Sequence, residues 1–206
     1  MLKRWIVLVT LIVLLLLAGG ALLWLQFGMA HQFAGVVLDP PQSAANITLT
    51  DETSQLFSLN ALRGKWILLT YGYTSCPDVC PLTLDHLRQV KSLLGAQAAN
   101  VRVVFVSVDP QRDTPQVLNG YVKHFGSDFK GLTGTAGAIA QAADAYNVRY
   151  ELKPKESGGG YTVSHTAFVY LIDPEFRQRI TYPFGVEPVE IANDLKYLMA
   201  QETAAQ

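Results

Sequence analysis

Residues 5–25 form an almost unbroken apolar run of about the length that crosses a bilayer, with Lys3 and Arg4 ahead of it and no charge inside it. In lipid such a run has one stable solution, a helix that satisfies its own backbone, so it lies outside any globular fold. Positive residues stay on the cytoplasmic side, which predicts a single-pass anchor in the inner membrane, N-terminus inside, with everything after Leu25 periplasmic. Ala18-Gly19-Gly20-Ala21 offers a weak leader cleavage site, but more apolar residues follow it, and an uncleaved anchor is expected. The reading is a stub at 1–4, an anchor at 5–25, a tether at 26–42 and one globular domain at 43–202.

Setting Lys3 and Arg4 aside from the 16 basic residues leaves 14 against 17 acidic ones, with no basic cluster able to track phosphates. Nucleic acid is excluded as an expected partner. Walker and dinucleotide glycine patterns, heptads and internal repeats are missing from the sequence. The exported part alternates strands and helices. Segments 46–50 and 55–59 read as a hairpin around Asp51-Glu52, followed by a strand at 66–73, a helix at 82–94 and a strand at 101–108. Asp113, Thr114 and Pro115 read as the cap and first position of a helix reaching Phe125. A helix at 136–146 and a strand at 148–152 come next. The polar, glycine-rich segment 153–160 is expected to be mobile. Strands at 166–172 and 177–181 lead to a last helix with Ile191, Leu195, Leu198 and Met199 on one face.

Two cysteines are present, Cys76 and Cys80, in Tyr71-Gly-Tyr-Thr-Ser-Cys76-Pro-Asp-Val-Cys80-Pro81, where a strand gives way to a helix. Backbone N–H groups and the positive helix end at such a junction favour a thiolate. Positions i and i+4 share a helical face, so both sulfurs point the same way, a soft donor pair suited to Cu(I). The rival is a thiol–disulfide oxidoreductase or peroxidase with Cys76 as nucleophile and Cys80 as its resolving thiol, and a structural disulfide is the plain alternative. Against a thioredoxin-type enzyme stand the three-residue spacing and the lack of a proline before Thr166. Asp78 and Asp109 are candidates for outer hydrogen bonds or a docking charge, or simply a turn former and a strand-end cap.

Of the four histidines, His31 follows the apolar run, while His86 and His124 fall on polar positions of their helices. His165 immediately precedes the apolar run 166–172, which reads as a buried strand. Ligands in open α/β sheets sit beyond the carboxyl ends of the parallel strands, so His165 reaches the cysteine edge only if its strand runs antiparallel to the others. A βαβ half followed by a ββα half meets that requirement. The expected fold class is therefore α/β, a thioredoxin-like mixed sheet flanked by helices and preceded by one transmembrane helix.

The segments Tyr73-Thr-Ser-Cys76-Pro-Asp-Val-Cys80-Pro81, Phe105-Val-Ser-Val-Asp109-Pro-Gln-Arg-Asp-Thr-Pro115, Gly131-Leu-Thr-Gly134 and Val163-Ser-His165-Thr-Ala-Phe-Val-Tyr-Leu-Ile-Asp173-Pro resemble the Sco/SenC copper chaperones over roughly 35–199. The resemblance implies a membrane-anchored domain that binds copper, Cu(I) and in some settings Cu(II), through Cys76, Cys80 and His165. It implies as partners the copper-bearing subunit of cytochrome c oxidase and other copper chaperones or thiol reductants. Two departures stand out: Ser164, where many relatives carry an acidic residue, and Phe176, where they often carry Gly.

Overall fold

The computed structural model describes residues 2–27, 31–154 and 159–204. The chain divides into two compact units, 1–32 and 33–206. The first is a single helix, α1 (Leu2–Phe27). Its segment Lys3–Gly20 has a mean hydropathy of 2.0, and among the described residues it is the one stretch long and apolar enough to cross a membrane. An anchor and a signal sequence both present such a helix.

The second unit is built on an eight-stranded mixed sheet. Its centre is β4 (Trp66–Gly72) and β5 (Val101–Ser107), parallel in register from Trp66 opposite Val101 to Gly72 opposite Ser107. Both strands are near-continuous apolar runs because they are covered on both faces, as parallel strands must be. Parallel β6 (Lys130–Thr133) follows on one side, then antiparallel β2 (Thr48–Asp51) and its hairpin partner β3 (Leu56–Ser58). On the other side β9 (Phe168–Ile172) runs antiparallel to β4, followed by β10 (Arg177–Pro183) and β1 (Val36–Ser43) at the edge.

Helix α2 (Val79–Leu94) buries Leu84, Leu87, Val90 and Leu94, a stripe that Cys80 heads, and packs against α5 (Pro188–Ala204). It begins three residues before the expected Leu82. Pro81 is tolerated there because the first-turn amides have no intrahelical partner anyway. Helix α3 (Pro115–Phe125) packs on β6 and is capped by Thr114, whose hydroxyl accepts from the Val117 N–H. Helix α4 (Ala136–Asp144) lies against β2.

Three readings are corrected. The tether expected at 26–42 is, over Val36–Ser43, an edge strand on β10. Its Pro40 and Pro41 hide the strand pattern and are compatible only with an edge. β6 had no strand assigned, being four residues long with a glycine in it. His165 does not open the buried strand. It ends β8 (Tyr161–His165), which pairs only with β7 (Tyr150–Pro154) in a separate two-stranded ribbon. Part of the segment expected to be mobile, 155–158, lies outside the described residues; Lys153 and Pro154 are paired with Thr162 and Tyr161.

Candidate metal centre

β4 ends at Gly72 and the chain turns through Tyr73–Cys76 into α2. Gly72 is needed there: a Cβ would stand 2.8 Å from the Cys80 sulfur and 2.7 Å from the Phe105 ring. The turn is tied down by a buried carboxylate. Asp113 accepts from the Thr74 N–H at 2.9 Å, the Thr74 hydroxyl at 2.6 Å and the Ser107 hydroxyl at 2.5 Å. Burial pushes the Asp113 carboxyl up, against the pull of those three donors. The sequence reading assigned Asp113 to the cap of α3, which Thr114 provides; a contact across 39 positions leaves no local signal.

Both cysteines are free thiols, Cys76 half-buried and Cys80 buried. The Cys80 N–H donates to the Cys76 sulfur at 3.4 Å, as a first-turn amide does to an anion at a helix mouth. Hydrogen bonding with the Cys80 thiol, the Asp78 and Cys80 amides and the His165 side chain outweigh partial burial and hold Cys76 down to about 5. The same thiol pairing, with burial, pushes Cys80 up. One thiolate is thus favoured over two in the metal-free site.

His165 comes from the ribbon. Its Nδ1 lies 3.0 Å from the Thr166 carbonyl oxygen, which can only accept, so Nδ1 carries the hydrogen and Nε2 keeps a lone pair that can accept a hydrogen bond or bind a metal. Nε2 lies 3.2 Å from the Cys80 sulfur, and the ring stands perpendicular to Tyr73 with centroids 6.0 Å apart. One donor atom from each of Cys76, Cys80 and His165 falls within 4.8 Å of the other two.

The other sequence candidates fall elsewhere. His124 is exposed, and His86, expected on a solvated face, is half-buried beside a small cavity of about 20 Å³ with Thr83, Ala167 and Phe184. His31 is half-buried and belongs to the first unit. Asp78 is exposed at the start of α2 and makes no capping bond. Asp109 is buried and engaged by Arg112 and the Tyr161 hydroxyl. In a second cluster of possible metal ligands, Asp173, Glu175 and Glu202, Asp173 is paired with Arg177 and Arg179 and Glu175 with Arg177.

A family model described as SCO1/SenC matches residues 38–200. The chain is 33% identical over 159 residues to an SCO2-like protein of Rickettsia felis, covering 77% of this chain and 78% of that one. The copper-bound structure of Bradyrhizobium japonicum ScoI is 36% identical with a TM-score of 0.68, covering 75% of this chain and 98% of that one. Copper-bound Arabidopsis thaliana ScoI is 31% identical with a TM-score of 0.72, covering 77% and 98%.

Proposed function

We propose, from the premise that this chain belongs to the SCO1/SenC family, that it is a copper metallochaperone whose cargo is held by Cys76, Cys80 and His165. The carrying observation is the convergence of two sulfurs and one imidazole nitrogen within 4.8 Å at the end of β4. Two thiolates and an imidazole form a soft, low-coordinate set that prefers Cu(I) to hard cations and leaves an open side. A recipient ligand attacks from that side, and the cargo leaves by stepwise exchange. Cys76 is poised as a thiolate, while Cys80 must lose its proton as copper enters, so loading releases protons.

The Sco family is linked to cytochrome c oxidase assembly, and the copper-bearing subunit of that oxidase is the recipient we infer. We place the copper domain, the unit 33–206, in the periplasm, with α1 as an uncleaved anchor in the inner membrane and 1–4 as its cytoplasmic stub.

A second reading rests on the same pair of free thiols. Cys76 attacks a partner disulfide to form a mixed disulfide, one partner sulfur leaving as thiolate. Cys80 then displaces the second, giving a reduced partner and a Cys76–Cys80 bond. The deciding experiment is an anaerobic Cu(I) titration of the periplasmic part, with X-ray absorption. One copper per chain with sulfur neighbours, lost in Cys76→Ser and Cys80→Ser, supports the chaperone reading. A shell of oxygen and nitrogen only, or unchanged affinity in Cys80→Ser, overturns it.

A further inference from the structure

His165 is carried on a ribbon that is no part of the main sheet, so something other than the β-ladder must hold its imidazole against the cysteines. One guanidinium joins the parts. Arg112, in the loop after β5, pairs through Nε with the buried Asp109 carboxylate and donates from Nη1 to the Tyr161 carbonyl oxygen at 3.0 Å. The same group lies over the Tyr161 ring, its Cζ 3.9 Å from the centroid, and over that of Tyr73 at 5.6 Å. The Tyr161 hydroxyl returns to Asp109 at 2.7 Å. Nη2 is buried with no hydrogen-bond partner among the described residues, so stacking and two of the nitrogens fix the group. Tyr73 in turn stands between Arg112 and the His165 ring.

We infer that Arg112, braced by Asp109, is a positioning residue that latches the β7–β8 ribbon to the cysteine loop and thereby sets how firmly His165 holds the cargo. The inference rests on the reading of His165 as a copper ligand. Ligand exchange requires one donor to yield first. The two sulfurs sit on a turn anchored by Asp113 and on a packed helix, whereas the imidazole sits on a ribbon outside the main sheet. This cluster secures the ribbon at its Tyr161 end, and the buried Val163, bonded through its backbone amide to the Tyr73 hydroxyl, secures it further along. An Arg is suited to the task where a Lys is not, because only a planar fork can stack, pair with a carboxylate and reach a carbonyl together.

The test uses Arg112→Lys, which keeps a cation beside Asp109 and avoids stranding a buried carboxylate. In the metal-free protein the His165 ring resonances, shifted in the folded chain by the perpendicular Tyr73 ring, are expected to move toward those of an unconstrained histidine. Cu(I) affinity is expected to fall about tenfold or more, the usual effect of losing an outer contact to a metal ligand. In a His165→Ala background the same change is expected to cost nothing further. Unmoved ring resonances overturn the inference, and so does an equal loss of affinity in both backgrounds. If His165→Ala alone leaves affinity intact, the ligand assignment fails, while the ring resonances still decide the latch. Tyr161→Phe, which keeps the ring and the carbonyl but loses the bond to Asp109, is expected to move the same resonances in the same direction by less. Should Arg112→Lys not fold, unchanged resonances in Tyr161→Phe overturn the inference.

Discussion

The two thiols differ although they are four residues apart on one turn. Cys76 stands in the path of the helix-mouth amides and Cys80 inside the apolar stripe of α2. In the metal-free protein, alkylation of Cys76 should therefore be nearly independent of pH above about 6 and fall away as pH drops through about 5, with Cys80 unreactive across that range. A mass-spectrometric pH profile checks this, and a midpoint near the ordinary thiol value for both residues contradicts it. His165→Ala should leave that profile's order and the fold intact but weaken copper retention and stop delivery, while alanine at His31, His86 or His124 should be nearly silent; oxidase activity and copper content in cells read out the difference. The convergence of Cys76, Cys80 and His165 was legible because chemistry restricts the candidates: a lone cysteine pair and one histidine bordering the apolar run 166–172. Thr74, Asp113, Arg112 and Tyr161 were not, because each acts through a partner at least 39 positions away. Phe176 shows the opposite case: at φ +67° it adopts a backbone that favours glycine, yet its ring is buried with Arg63 stacked over it at 4.9 Å, so packing offsets the strain.

Among the elements, those with continuous apolar runs or clear caps were readable, namely β4, β5, α2, α3 and α5. The edges were not. β1 carries Asp39-Pro40-Pro41 and is mostly exposed, so neither alternation nor hydrophobicity announces it; only its partner β10 explains it. Yet it is seated closely. A Cβ on Gly35, just before it, would stand 2.5 Å from Ile180 and 2.8 Å from the Thr181 carbonyl oxygen. A chain beginning at residue 44 should consequently melt several degrees below one beginning at residue 33, by calorimetry, because it loses the edge ladder and uncovers β10; equal midpoints contradict this. At the opposite end of the sheet, Asp51 is held down to about 2: burial opposes this, but Thr53, the Gln55 amide and Lys130 together outweigh it. Its folded value lies below its ordinary one, so its contribution is complete above about pH 4 and lost as pH falls toward 2. Acid unfolding monitored by circular dichroism should accordingly be less steep in that window for Asp51→Asn.

For the whole molecule, an apolar helix and one mixed α/β unit were readable from hydropathy and the strand–helix pattern, whereas the antiparallel sense of β9 was expected for the wrong reason, since His165 does not open β9 but ends β8 in a separate ribbon. A reporter fused after Gln206 should be active on the periplasmic side and sediment with membranes. A shortened soluble product establishes cleavage of the leader, and cytoplasmic activity overturns the compartment assignment. The donor atoms come from positions 76, 80 and 165, on a main-sheet turn, a helix and a detached ribbon. A chain still being synthesised therefore exposes thiols long before it owns the imidazole, and metal that meets it then finds only a weaker, two-sulfur clasp. The three-donor set comes into being only with the finished tertiary structure. Copper loading thus draws the folding equilibrium toward the native chain and leaves misfolded copies empty-handed.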